Sequence, residues 1–113
     1  MLARPNRIVR ADDYRSVVRS GRRSVTPLVK VYERRGQDHG TVRFGFIVSK
    51  AVGNAVHRNL VRRRLKAITV GFVATLDPGT DIVVRALPGS AQASWDILRS
   101  QMTGILIRGV ARR

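Results

Sequence analysis

A chain of 113 residues with 22 Lys and Arg against 7 Asp and Glu has a net charge of +15 and is sized for one domain. That excess repels itself unless a polyanion offsets it, and arginine, whose planar fork suits phosphate, predominates; RNA or DNA is the expected partner, with an anionic membrane surface second. The absence of cysteine excludes disulfides, thiolate metal sites and cysteine catalysis. No run of 18 apolar residues is present to span a membrane, and the basic N-terminus lacks the apolar stretch of a secretory signal, so a cytoplasmic location is expected.

Residues 1–11 read as an extended basic arm anchored by Ile8 and Val9. Asp12 and Asp13 offer an N-cap and first-turn acids for a helix over roughly 12–20, which Gly21 ends. Its apolar residues are Tyr14, Val17 and Val18; Tyr14 and Val18, four apart, share a face. Residues 22–26 form a short strand before Pro27, and 28–32 are a β-rich run. The turn cluster 36–40 then leads into a long strand over 42–50, and the two runs read as an antiparallel hairpin. On the second strand Val42, Phe44, Phe46 and Val48 alternate onto a core face, while Arg43, Gly45, Ile47 and Ser49 take a more open one.

The stretch 49–66 turns at Gly53-Asn54 and enters a helix with Asn54 as its N-cap. At 100° per residue Val61, Leu65, Ile68 and Phe72 fall within about 60° of one another, a core seam. Arg58, Asn59, Arg62, Arg63 and Lys66 fill a separate arc of about 140°. No acid lies between Lys50 and Leu76, so nothing at i,i+4 offsets this charge, and Asn59 can bond both phosphate and ribose hydroxyls. The arc therefore reads as a nucleic-acid face rather than a merely solvated one. Asp77-Pro78-Gly79 is a turn, 81–86 a short strand, and Leu87-Pro88-Gly89 its stop. Ser94 caps a last helix with Trp95, Leu98, Met102, Ile105 and Leu106 at helical spacing, and the basic tail 109–113 frays. The helices are expected to cover one face of a small mixed sheet, leaving the other partly open.

No catalytic constellation stands out. The acids sit mostly in caps and turns, His39 reads as a solvated turn residue, and His57 has no acid at helical spacing to orient it. No phosphate-cradling G-x-x-x-x-G-K-[ST] loop is present, and no protein metal site is expected. Tyr14, Val18, Lys30 and Tyr32 form a second candidate surface, an aromatic-and-cation patch able to stack single-stranded bases. The alternative is that Tyr14 and Val18 pin the first helix to the sheet.

The run Ser49-Lys50-Ala51-Val52-Gly53-Asn54-Ala55-Val56-His57-Arg58-Asn59-Leu60-Val61-Arg62-Arg63-Arg64-Leu65 resembles the protein component of bacterial ribonuclease P. Asn6-Arg7, Asp13-Tyr14, Gly21, Arg43-Phe44-Gly45-Phe46 and Asp81-Ile82-Val83-Val84-Arg85-Ala86 extend the resemblance, in order, over nearly the whole chain. It implies an α+β fold, an α-β-β-β-α-β-α sandwich like the second domain of ribosomal protein S5, with a left-handed β-α-β crossover against the usual right-handed rule. The whole chain, 1–113, would be a single RNA-binding domain. It would bind the catalytic ribonuclease P RNA, 1:1, and the complex would cleave the 5′ leader from precursor tRNA. The RNA would perform the hydrolysis and hold the Mg2+ ions, so no residue of the protein would be catalytic.

By the same resemblance Lys50, Asn54, Arg58, Asn59, Arg62, Arg63 and Lys66 would face the catalytic RNA. Tyr14, Val18, Lys30, Tyr32, Arg43 and Ile47 would line the cleft for the leader of the precursor tRNA. The family commonly has a basic residue at position 51 and an Arg after the Arg-Asn pair, where this chain has Ala51 and Leu60, with Arg64 a candidate to take over their contacts. Val18 stands where a second aromatic is usual, leaving Tyr14 and Tyr32 to stack bases. Charge and spacing alone fit equally a structural or ribosome-associated RNA-binding protein with no part in cleavage.

Overall fold

The computed structural model describes residues 2–111, with side chains through Arg108. Its main elements follow the expected order: α1 (Ala11–Ser20), β1 (Arg22–Val25), β2 (Val29–Arg34), β3 (Val42–Ile47), α2 (Ala55–Val70), β4 (Thr80–Ala86) and α3 (Trp95–Ala111). The tail expected to fray, 109–113, lies outside the described side chains.

The four strands form one sheet in the order β1-β2-β4-β3. The expected pairing of β2 with β3 is therefore wrong. β4 lies between them, antiparallel to β2 and parallel to β3. The reason is in β4 itself: six of its seven residues are buried, on both faces, so it needs neighbours on both edges and layers above and below. β3 reaches it through the crossover helix α2, as adjacent parallel strands require. The real hairpin is β1 with β2, closed at Thr26, whose N–H donates to the Val29 carbonyl at 2.9 Å. The connection from β2 to β3 crosses the turn before β4 and is pinned there: Gln37 N–H donates to Gly79 O (3.0 Å) and Gly79 N–H to Thr41 O (2.7 Å).

One face of the sheet carries the larger core. Val29, Val31, Val42, Phe44, Ile82, Val84 and Ala86 meet Val61, Leu65 and Ile68 of α2 and Leu98, Met102, Ile105 and Leu106 of α3. The α2 seam is as its spacing predicts, with Phe72 partly buried beside it. Trp95, placed with the apolar face of α3, is 37% exposed.

The second face is not left to solvent. α1 packs over it, burying Val17 with Ile8, Tyr32 and Val83. Three apolar residues in one short helix suffice for this smaller cluster, which the expectation of helices on a single face missed. α1 starts at Ala11 with Arg10 before it, so Asp12 and Asp13 are first-turn acids facing the positive helix end, not caps. The N-terminal arm is anchored by Leu2 and Ile8, whereas Val9, expected inside, is 75% exposed. Ile8 N–H donates to Phe44 O at 2.9 Å and Asn6 Nδ2 to Val42 O at 2.9 Å, laying the arm along the free edge of β3.

Candidate RNA interface

The α2 surface begins at its N-terminus. Gly53 has φ +150°, and a Cβ there would stand 2.9 Å from His57 Nδ1, so glycine is required for the sharp turn. Asn54 Oδ1 then accepts from the His57 N–H at 3.0 Å, the cap its residue type predicts. With Val61, Leu65 and Ile68 turned into the core, Asn59, Arg62, Arg63 and Lys66 are brought together with Val56 around one shallow groove. Arg62 donates to Asn59 Oδ1 (3.1 Å) and reaches the Val48 carbonyl (3.4 Å), which holds its guanidinium toward the β3 side.

Arg58 sits at the edge of this arc, half-buried, with its Nε lacking a partner. Lys50 is exposed in the 3₁₀ turn Lys50–Val52, just ahead of the helix. Arg64 is outside the arc: its Nη1 donates to the Ala93 carbonyl at 2.9 Å, tying α2 to the loop before α3. Among the described residues none of the α2 cations has a carboxylate partner. The like charges therefore stand together with no internal compensation.

The second surface lies between α1 and the other face of the sheet. The Tyr14 ring rests on β3 at Gly45, where a Cβ would come within 2.5 Å of Tyr14 Cε1. The Tyr14 hydroxyl accepts from the Phe46 N–H at 3.2 Å. Beside it opens a cleft of about 370 Å³ lined by Tyr14, Arg15, Val18, Arg19, Ile47 and Arg85. Lys30 faces Arg85 across β2 and β4. Tyr14 and Val18 thus share one surface as their spacing predicts, with Ile47, which the resemblance implies there, beside them, and Tyr14 both pins α1 and walls the cleft. Tyr32 is different: at 8% exposure it is in the cluster under α1, its ring covered.

Arg43 does not line the cleft either. Its Nε and Nη2 donate to the two carboxylate oxygens of Asp81, both at 2.9 Å, and its Nη1 stands 3.6 Å from Asp13. Asp81 is fully buried and also accepts from Arg34 Nη2 at 3.1 Å and His39 Nε2 at 2.9 Å. His39, read as a solvated turn residue, is held in this network because its loop folds over the start of β4. The Thr41 N–H donates to His39 Nδ1, leaving the ring proton on Nε2 toward the carboxylate. Burial pushes the Asp81 carboxyl up, but hydrogen bonds from Arg43 and Arg34 outweigh it and hold the pKa below the usual carboxylate value. The Arg43 guanidinium is raised above its usual value by its own hydrogen bonds to Asp81, against its desolvation.

Arg15, Arg19 and Arg85 are the cleft residues that sequence reasoning missed. A signal for Arg85 exists: it is the one charge in the otherwise apolar run Ile82–Ala86. Among the described residues no group of three His, Cys, Asp or Glu side chains is placed to hold a metal ion, and no helix is long and apolar enough to cross a membrane.

Comparison with known proteins gives a consistent result. The family model described as ribonuclease P matches residues 2–109. The ribonuclease P protein component of Clavibacter michiganensis is 51% identical over 110 residues, covering 97% of each chain. That of Streptomyces avermitilis is 42% identical over 116 residues, covering 96% of this chain and 94% of its own. The fold matches solved RNase P proteins at lower identity. One from Staphylococcus aureus has a TM-score of 0.84 at 22% identity, covering 92% of this chain and 94% of that one. One from Thermotoga maritima has a TM-score of 0.78 at 21% identity, covering 90% and 96%.

Proposed function

The chain belongs to the ribonuclease P protein family and is a subunit of ribonuclease P, partner to ribonuclease P RNA in the maturation of tRNA 5′ ends; from that premise we propose how its two surfaces divide the work. The α2 arc of Arg58, Asn59, Arg62, Arg63 and Lys66, with Lys50 and Asn54 at its head, docks on the catalytic RNA, one protein to one RNA. The cleft beside α1 takes the 5′ leader of the precursor tRNA. Hydrolysis belongs to the RNA, which would also hold most of the Mg2+ of the holoenzyme; among the described residues no group of three His, Cys, Asp or Glu side chains is placed to hold a metal ion. The work is done in the cytoplasm.

The observation that carries this reading is the placement of uncompensated cations. α2 packs on one face of the sheet and the cleft opens on the other, so one protein can hold two RNA segments at once. Phosphates would relieve the repulsion within each surface, and apolar side chains in the cleft suit unstacked bases. Tyr14, Val18, Ile47 and Lys30 act on the leader directly. Tyr32 supports the cleft from beneath, and Arg43 acts through Asp81, holding β3 against β4.

Reconstitution with a bacterial ribonuclease P RNA at low Mg2+, scored for precursor-tRNA cleavage, tests the division. Rescue of cleavage by the protein is expected. Binding without rescue would favour a structural or ribosome-associated RNA-binding role, and cleavage by the protein alone would overturn the assignment of hydrolysis to the RNA.

A further inference from the structure

Arg85 is the only exposed residue of β4, the central strand of the sheet. Its neighbours in register are Lys30 on β2 and Ile47 on β3, and it shares its cleft with Tyr14 and Val18. An aliphatic side chain at this position would extend the Val17–Tyr32–Val83 cluster and narrow the space under α1. Arginine keeps the space open and brings a charge to its centre.

Among the described residues that charge has no partner. Asp12 pairs with Arg15, Asp13 with Arg43, and Asp81 with Arg34, Arg43 and His39. Arg85 makes no ion pair or hydrogen bond with any described residue, and no carboxylate lines the cleft. The other charges near it, Arg15, Arg19 and Lys30, have the same sign. Arg43 and Arg34 are spent on Asp81, so Arg85 is the cation at the floor whose five donors are all free.

We propose that Arg85 binds a backbone phosphate of the precursor-tRNA leader, the base beside that phosphate lying on Tyr14, Val18 and Ile47. This rests on the cleft being the leader site. A guanidinium at the floor can donate two parallel bonds to one phosphate, fixing the strand in depth and direction. Arg15 and Arg19, on the α1 rim, meet the flanking phosphates less specifically. The contact makes Arg85 a determinant of precursor over mature tRNA, since only the precursor carries the leader.

The test uses ribonuclease P reconstituted from the full chain and its RNA, titrated with precursor and mature tRNA across a salt series. Arg85→Ala is expected to weaken precursor binding about tenfold, and more than mature binding. The salt slope for the precursor should fall by about 0.7, the value of one phosphate on a single strand. Arg85→Lys should keep the slope and recover part of the affinity, because the charge stays while the two-pronged geometry is lost. Should Arg85→Ala lower the denaturation midpoint, Arg85→Gln, which keeps the Cβ–Cδ stem and a polar end without the charge, gives the same readout. An unchanged slope in the charge-removing variants overturns the proposal, as does an equal loss for both tRNAs. Tyr14→Ala separates the two layers. Selective loss of precursor with Tyr14→Ala but not with Arg85→Ala overturns the Arg85 contact alone. No selective loss with either variant overturns the leader reading of the cleft, and the contact with it.

Discussion

Arg43 and Asp81 sit directly opposite each other on the parallel strands β3 and β4 and share two hydrogen bonds of 2.9 Å. The pair bolts the edge strand to the central one, with Arg34 doing the same from β2. Asp81→Asn would leave the partly buried Arg34 guanidinium without a counter-charge and Arg43 with only Asp13, 3.6 Å away, and a loss of about 3 kcal/mol is expected in urea denaturation. The pH dependence follows in sign. The folded pKa of Asp81 is depressed, so its stabilisation is present above the unfolded value of about 3.9 and is lost as pH falls through the lower folded value. Wild-type stability should therefore drop on acidification below about pH 4 by more than that of Asp81→Asn, which lacks this component.

Gly45 is required by the Tyr14 ring above it. Gly45→Ala pushes a methyl into the aromatic carbons, so α1 must lift or Tyr14 must rotate. A loss of about 1–3 kcal/mol is expected, together with loss of the Phe46 N–H bond to the Tyr14 hydroxyl. Thermal melting checks the first, and hydrogen exchange at Phe46 the second.

The α2 arc makes its own prediction. Among the described residues Arg62 and Arg63 touch no carboxylate, so removing both should alter folding by less than about 0.5 kcal/mol per site. Binding to ribonuclease P RNA should weaken, and the salt slope should fall by about 2 for Arg62→Ala/Arg63→Ala. An unchanged slope would move the RNA-docking face elsewhere.

Val18 lines the cleft beside Tyr14. Val18→Phe adds a second aromatic surface where there is room for one, and stacking on a leader base is worth about 1–3 kcal/mol. Precursor affinity in the holoenzyme should rise by about tenfold or more, with mature tRNA affinity rising less. A fall in precursor affinity would mean that the space is already needed by the strand.

Local pattern made much of this legible. The alternation of Val42, Phe44, Phe46 and Val48 placed the β3 core face correctly, and the Val61–Leu65–Ile68 seam oriented α2 and hence its basic arc. Strand order was not legible, because alternation fixes which face a residue takes but not which strand lies alongside. The clue was the burial of β4 on both sides, a property of its neighbours as much as of itself. Tyr32 and Arg43 were placed on the right face of their strands. What the face does not say is that α1 covers one and that Asp81, far along the chain, captures the other. His39 escaped for the same reason: its partner is 42 residues away.

The insertion of β4 between β2 and β3 has a consequence for synthesis. β2 and β3 are complete by residue 47, yet the strand that separates them emerges only with residues 80–86. Until then each has an open edge, and pairing them with each other, the hairpin that their sequence suggests, would be a trap that must come apart before the sheet can form. A nascent chain stopped at Asp77 should therefore show no cooperative unfolding transition, whereas one released after β4 and α3 should. The fold of this RNA partner is thus settled by the last third of the chain to leave the ribosome, after the basic helix has already been made.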